Sequence, residues 1–271
     1  MIWLTKPGLC RIGSTFLAHL QVFVVQALHE PPLPSPGFCW PLGVMLEEGS
    51  EPWRADFVMQ KIDPQTLNLI TATTIGHYDA SAESFWQGTK DHDVRQNMDA
   101  LLRHIPGEGP YRILDLGCGP GRDVLAFRDM GHEAVGLDGA AEFVAMARKR
   151  TGCEVWQQNF LQLDLPEESF DGIFANAVLF HIPFQELPRV LTELRAALKI
   201  SGVLFSSNPR GADNEGWNGQ RYGSYLTWET WRQTCLDAGY RELEHYYRPP
   251  GKPRDQQPWL ASVWGKGSES S

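Results

Sequence analysis

The sequence predicts an α/β fold: a doubly wound, mostly parallel seven-stranded sheet with helices on both faces, preceded by N-terminal helices. Three observations carry this. From Tyr111 onward, short apolar runs alternate with amphipathic stretches, the pattern of strand–helix units whose sheet is covered on both faces. The first apolar run ends in a glycine-spaced turn, "RILDLGCGPGRDVLAF" from Arg112 to Phe127. The chain has 271 residues, 42% of them hydrophobic and 21% charged, which suffices for one substantial core with room for an appendage.

Taken in order, "DVRQNMDALLRHI" sets Val94, Asn97/Met98, Leu101, Leu102 and Ile105 on one helical face, and Pro106-Gly107 stops it. "RILDL" is strand-like and "GRDVLAFRDM" helical; "EAVGLD" and "AAEFVAMARKR" repeat the pair. "CEVWQ" is a third strand and "FDGIFANAVLF" a fourth. "FQELPRVLTELRAALK" is a helix that buries Leu187, Val190, Leu191, Leu194 and Leu198. "GVLFSSN" is the fifth strand, and "TWETWRQTCLDAGY" a helix stopped at Gly239. "RELEHYYRP" and "PWLASVWGK" complete the seven, separated by a turn rich in proline, glycine and charge.

Composition narrows the function classes. With 33 acidic against 24 basic residues the net charge is -9, and no cluster of Lys and Arg offers a nucleic-acid backbone its counter-charge. No apolar stretch is long enough to span a bilayer, so no membrane partner is expected. Cys10, Cys39, Cys118, Cys153 and Cys235 are scattered, with no CxxC and no zinc-like spacing with histidine, so neither a disulfide framework nor a metal site is expected. A reducing, cytoplasmic setting fits. Residues 1–55 differ from the rest: a short apolar run, then proline-rich coil, with Lys6 and Arg11 and no acid before Glu30. That pattern fits either an organellar targeting peptide or an extension with no address. The working domain is expected at 56–271, with a helical cap at 56–110 and the α/β core at 111–265.

In an open α/β sheet, ligands sit beyond the carboxyl ends of the strands where strand order reverses, so the first loop is the first place to look. The dinucleotide fingerprint G-x-G-x-x-G/A fails here, because its third small position is Arg122. "DLGCGPG" instead resembles the first motif of class I S-adenosylmethionine-dependent methyltransferases of the small-molecule type, and the resemblance extends from about Tyr78 to the C-terminus. It implies S-adenosyl-L-methionine as cofactor. It further implies that Asp115 orients the cofactor's methionine end through the loop. Gly117 and Gly119, with Cys118 between them, let the backbone pass close to the cofactor. Asp138, followed by Gly139, would accept the ribose hydroxyls. Asn159 and Phe160 would hold adenine, although Asp is usual where Asn159 stands. Asn176 and Ala177 would sit beside the cofactor's amino group, and Tyr78 would touch the cofactor from a pre-core helix. Gly121 reads as a packing glycine.

Methyl transfer from a sulfonium is an in-line displacement in which the protein chiefly aligns the acceptor and excludes water. His181 is the candidate general base. Trp86, before the core, and Arg210, Trp217, Arg221 and Tyr222, in the glycine- and aromatic-rich loop after the fifth strand, are the candidate acceptor contacts. Two arginines on one loop of an acidic protein point to an anionic small molecule. A non-catalytic binding or scaffold member of the same fold stays open as an alternative. An NAD-dependent oxidoreductase is disfavoured by Arg122 and by the lack of a Tyr-x-x-x-Lys pair.

Overall fold

The computed structural model describes residues 61–267; the expectations for residues 1–55 lie outside them. Within that range the chain builds a seven-stranded sheet of order β3-β2-β1-β4-β5-β9-β8. Its strands are β1 (Arg112–Leu116), β2 (Glu133–Asp138), β3 (Glu154–Gln157), β4 (Phe170–Asn176), β5 (Leu198–Pro209), β8 (Tyr240–Arg248) and β9 (Trp259–Lys266). The first five run parallel; β9 lies antiparallel between β5 and β8. Seven mostly parallel strands with helices on both faces match the expected class. The order reverses between β1 and β4, so the switch point lies at the end of "RILDL".

The helices are α1 (Pro64–Ala80), α2 (Ala82–Thr89), α3 (Arg95–Leu102), α4 (Arg122–Asp129), α5 (Ala141–Thr151), α6 (Leu187–Ala197) and α7 (Trp228–Asp237). Asp63 starts α1 by accepting the Gln65 and Thr66 N–H groups, which lack partners inside the helix. Pro188 in the first turn of α6 costs that helix no hydrogen bond. Leu114, Leu116, Ile173 and Leu204 bury one face of the sheet under α6 and α7; Ile113, Phe174, Val203 and Phe205 bury the other, with α3, α4 and Val144 of α5. The central strands read as continuous hydrophobic runs because both faces are covered.

Two elements differ from the sequence reading. The region after the fifth strand is not an open loop: Asn214–Asn218 and Arg221–Tyr225 form an antiparallel hairpin, β6 and β7, as a separate two-stranded sheet. The fourth strand stops at Asn176, because Ala177 turns the chain with φ 63, and Leu179–His181 form a 3-10 turn instead of a strand end.

Candidate functional site

The loop after β1 is shaped by close approaches. The N–H groups of Gly117 and Cys118 both donate to the Leu137 carbonyl, at 2.7 and 3.0 Å, folding the loop across the end of β2. A Cβ on Gly117 would lie 2.3 Å from Val178 Cγ2, and one on Gly121 would lie 2.9 Å from Ala147 Cα, both at positive φ. Gly117 therefore lets β1 meet the chain leaving β4, whereas Gly121 packs α4 onto α5, as expected. Cys118 turns inward, its Sγ 3.0 Å from where a Cβ on Gly136 would stand, and burial pushes its thiol well above the usual range. It contributes backbone and volume to the loop.

Asp138, at the carboxyl end of β2, accepts hydrogen bonds from the N–H groups of Gly119 and Ala140, both at 2.9 Å. Each carboxylate oxygen keeps acceptor capacity for a further donor. Burial raises its pKa to about 6, against the lowering effect of those N–H donors. Asp115 is fully buried, its Oδ2 has no hydrogen-bond partner, and burial together with the Asp123 charge raises its pKa well above the carboxylate range.

The helical cap closes on this loop. Ile75 of α1 stands 2.8 Å from where a Cβ on Gly139 would be, and Phe85 of α2 is 3.7 Å from the equivalent point on Gly119. Tyr78, Phe85 and Phe143 form an aromatic cluster with ring centroids 5.1 to 5.7 Å apart. Asp79 accepts the Glu142 N–H at the start of α5, and Arg122 donates to the Thr89 carbonyl at the end of α2.

On the other side of β4, His181 joins three elements. Its Nδ1–H donates to the Tyr222 carbonyl at 2.7 Å, which leaves the Nε2 lone pair to accept the Tyr78 hydroxyl at 2.8 Å. A carbonyl cannot donate, so the neutral tautomer is fixed. Burial lowers its pKa to about 4, with the Arg221 charge acting in the same direction. Tyr78 is itself shifted up by burial, offset in part by Arg221. Tyr78, His181, Arg221 and Tyr222 are thus brought together. Glu215 holds the hairpin to this centre by accepting the Phe184 N–H and the Ser224 hydroxyl.

Other candidates go elsewhere. Trp86 lies under the Arg150 guanidinium, 3.8 Å from its ring centroid, apart from the hairpin. Asn159 spends its side-chain oxygen on the Leu161 N–H at 2.9 Å, a local turn, and Phe160 packs on the core. Asn176 accepts from the buried Asn97 amide, which in turn accepts the Tyr246 hydroxyl. Trp217 is half exposed and meets Tyr222 edge-on. Arg210 lies over Tyr247 and shares no contact with Arg221, so the two loop arginines serve different places. Sequence reasoning missed Asp79, Asn97 and Glu215 as site-building residues. Asn97 alone left a signal, a polar side chain on an apolar helix face.

A family model described as a methyltransferase domain matches residues 113–202. Among curated proteins, the trans-aconitate 2-methyltransferase of Azoarcus sp. (strain BH72) is 35% identical over 125 residues, 45% of this chain and 48% of that one. The malonyl-[acyl-carrier protein] O-methyltransferase of Enterobacter lignolyticus (strain SCF1) is 32% identical over 147 residues, 54% of each chain. The chain thus spans about half the length of these relatives. A solved structure, the 1,6-didemethyltoxoflavin-N1-methyltransferase of Burkholderia thailandensis with bound 1,6-didemethyltoxoflavin and S-adenosylhomocysteine, superposes with a TM-score of 0.63 at 20% identity. It covers 74% of this chain and 91% of its own, which establishes the likeness of fold. Strand order and glycine loop agree with the family model, which matches residues 113–202 as a methyltransferase domain.

Proposed function

We propose that this protein transfers a methyl group from S-adenosyl-L-methionine to a small anionic acceptor. The working domain in this reading is 56–271, with a helical cap at 56–110 and a core at 111–265. The observation that carries it is the Asp138 carboxylate at the end of β2, beside the switch point, holding the Gly119 and Ala140 N–H groups with acceptor capacity to spare. The donor set suits the cofactor. Asp138 offers acceptors to ribose hydroxyls, and Asp115 and Asp138 stand beside the loop as buried carboxyl groups whose charged forms a cationic ligand would favour. When bound, the cofactor supplies an electrophilic methyl group on a sulfonium.

The protein's share is alignment and exclusion of water. Tyr78, Phe85 and Ile75 close the cap on the loop. In this reading Tyr78, Asp115, Gly117, Cys118, Gly119, Asp138 and Gly139 line the cofactor side, Cys118 by its backbone. Asn176 and Ala177 turn the chain beside it, with Asn159 and Phe160 shaping the far wall. On the acceptor side, Arg221 and the neutral His181 face the accepting group, flanked by Tyr222 and Trp217. His181 with a pKa lowered to about 4 is a weak base at neutral pH. An acceptor already ionised, such as a carboxylate, needs no base, so His181 and Tyr78 orient it and Arg221 supplies counter-charge. The names of the two curated relatives, one of them an O-methyltransferase, point the same way.

Calorimetric titration with S-adenosylhomocysteine, and separately with NADH, tests the cofactor. S-adenosylhomocysteine should bind, NADH should not, and Asp138→Ala should weaken the former at least tenfold. Absence of binding by the wild-type chain would sink the reading. A panel of carboxylic acids beginning with trans-aconitate, assayed by mass spectrometry for a methyl ester, tests the acceptor.

A further inference from the structure

Arg210 leaves the end of β5, beside the carboxyl end of the sheet that holds the site: Pro209 pairs with Trp259, which pairs with Arg248. Its guanidinium carbon stands 5.4 Å from the Tyr247 ring centroid. The guanidinium of Arg254, from the turn between β8 and β9, stacks on the same ring at 3.1 Å. The ring face attracts each cation, but the cations repel one another. No carboxylate compensates them: among the described residues neither arginine makes an ion pair, including with Asp255, the next residue after Arg254. In a chain of net charge -9, two uncompensated cations on one ring is an unusual arrangement.

Two orphaned polar atoms lie at the end of β5. Arg210 Nε is buried with no hydrogen-bond partner, a donor that lacks an acceptor. Asn208 is nine-tenths buried, and its Oδ1 also lacks a partner. Asn208 and Pro209 line a small apolar cavity with Leu179, Phe180, Leu226 and Trp231, and Phe180 is the residue before His181. The cavity is thus lined by the residues that precede His181 and Arg210 in the chain. The stack is held in place: the Arg210 N–H donates to the Pro258 carbonyl at 2.8 Å, and Gln257 donates to the Pro249 carbonyl at 2.9 Å, folding the turn back on itself.

We propose that Arg210, Tyr247 and Arg254 form an anion clamp that holds a carboxylate or phosphate group of the acceptor, distal to the group facing His181 and Arg221. The bound oxygens would accept from Arg210 Nε and from the exposed edge of Arg254. The role as an acceptor site rests on the methyl-transfer reading; the binding of anions does not.

The test is calorimetric titration of the full chain with inorganic phosphate, with glutarate and with acetate, on wild type, Arg254→Gln, Arg210→Gln and Arg221→Gln. Arg254 is exposed, so its substitution does not endanger folding. Phosphate or glutarate should bind wild type, and Arg254→Gln and Arg210→Gln should each weaken that binding at least fivefold. Glutarate weakened by Arg221→Gln as well would show one molecule spanning both ends. Phosphate alone, insensitive to Arg221→Gln, would show the clamp acting on a phosphorylated group. Binding by neither anion, or binding unaffected by both clamp variants, would overturn the proposal. S-adenosylhomocysteine titrated into Arg254→Gln and Arg210→Gln should bind as in wild type, so failure of the clamp and failure of the cofactor reading are separately visible.

Discussion

At the scale of single residues, the backbone of the glycine loop was legible and the aim of its surrounding side chains was not. Gly117, Gly121 and Asp138 could be placed because a tight turn after a parallel strand admits few alternatives. Trp86 and Asn159 could not, because their partners, Arg150 and the Leu161 N–H, depend on tertiary packing and on a local turn that compete with any ligand. Gly121→Ala should cost about 2–4 kcal/mol, from a left-handed φ and a Cβ driven into Ala147 and Thr151. In a domain of this size that lowers Tm by roughly 5–15 °C, and a melt unchanged within error would refute the packing role. Asp138 gives a pH prediction. Its folded pKa of about 6 exceeds the reference 3.8, so the associated stability is present below the lower value and lost as pH rises through the higher one. If the cofactor's ribose is held by this carboxylate as proposed, S-adenosylhomocysteine affinity should run the opposite way, rising about tenfold from pH 5 to 7.5. Asp138→Asn should bind weakly with no such rise; an equal slope in the variant would assign the effect to another group.

At the scale of elements, the parallel core was readable because each strand is a covered apolar run followed by an amphipathic helix, repeated with little interruption. The β6–β7 hairpin was not, since its strands pair only with each other and their residues do not alternate cleanly; the Gly219–Gln220 pair of its two-residue turn, with Gly219 at φ 63, was the available signal. The helical cap makes its own prediction. It is joined to the core by the Asp79 bond to the Glu142 N–H and the Arg122 bond to the Thr89 carbonyl. Removing both, as Asp79→Ala with Arg122→Ala, should speed amide exchange across residues 64–89 about tenfold while the sheet amides keep their protection. Cofactor affinity should fall with it, because Tyr78 and Phe85 reach the loop only through this cap. Unchanged exchange in α1 and α2 would mean that the apolar contacts of Ile75 and Phe85 hold the cap without help.

At the scale of the whole molecule, sheet, loop and cap all lie within residues 61–267, and every contact argued for the cofactor side falls inside that range. No helix among those residues is long and apolar enough to cross a membrane. The chain's charge is divided unevenly in a way that matches the proposed ligands. Asp79, Asp115 and Asp138 stand around the glycine loop, where a cation is expected, and Asp123 beside them is paired with Arg122. Arg210, Arg221 and Arg254 stand at the end proposed for the acceptor. A ligand that binds only the folded chain stabilises it by mass action, by about 2.7 kcal/mol at a hundred times its Kd. For a domain of this length that corresponds to a rise in Tm of roughly 5–11 °C. S-adenosylhomocysteine should produce that rise and NADH should not. A chain beginning at residue 57 should show the same shift as the full chain, since no residue before that point enters the cofactor argument. A shift lost on truncation would place part of the cofactor site in the first 56 residues. Equal shifts with NADH would remove the distinction that Arg122 draws between the two cofactor classes.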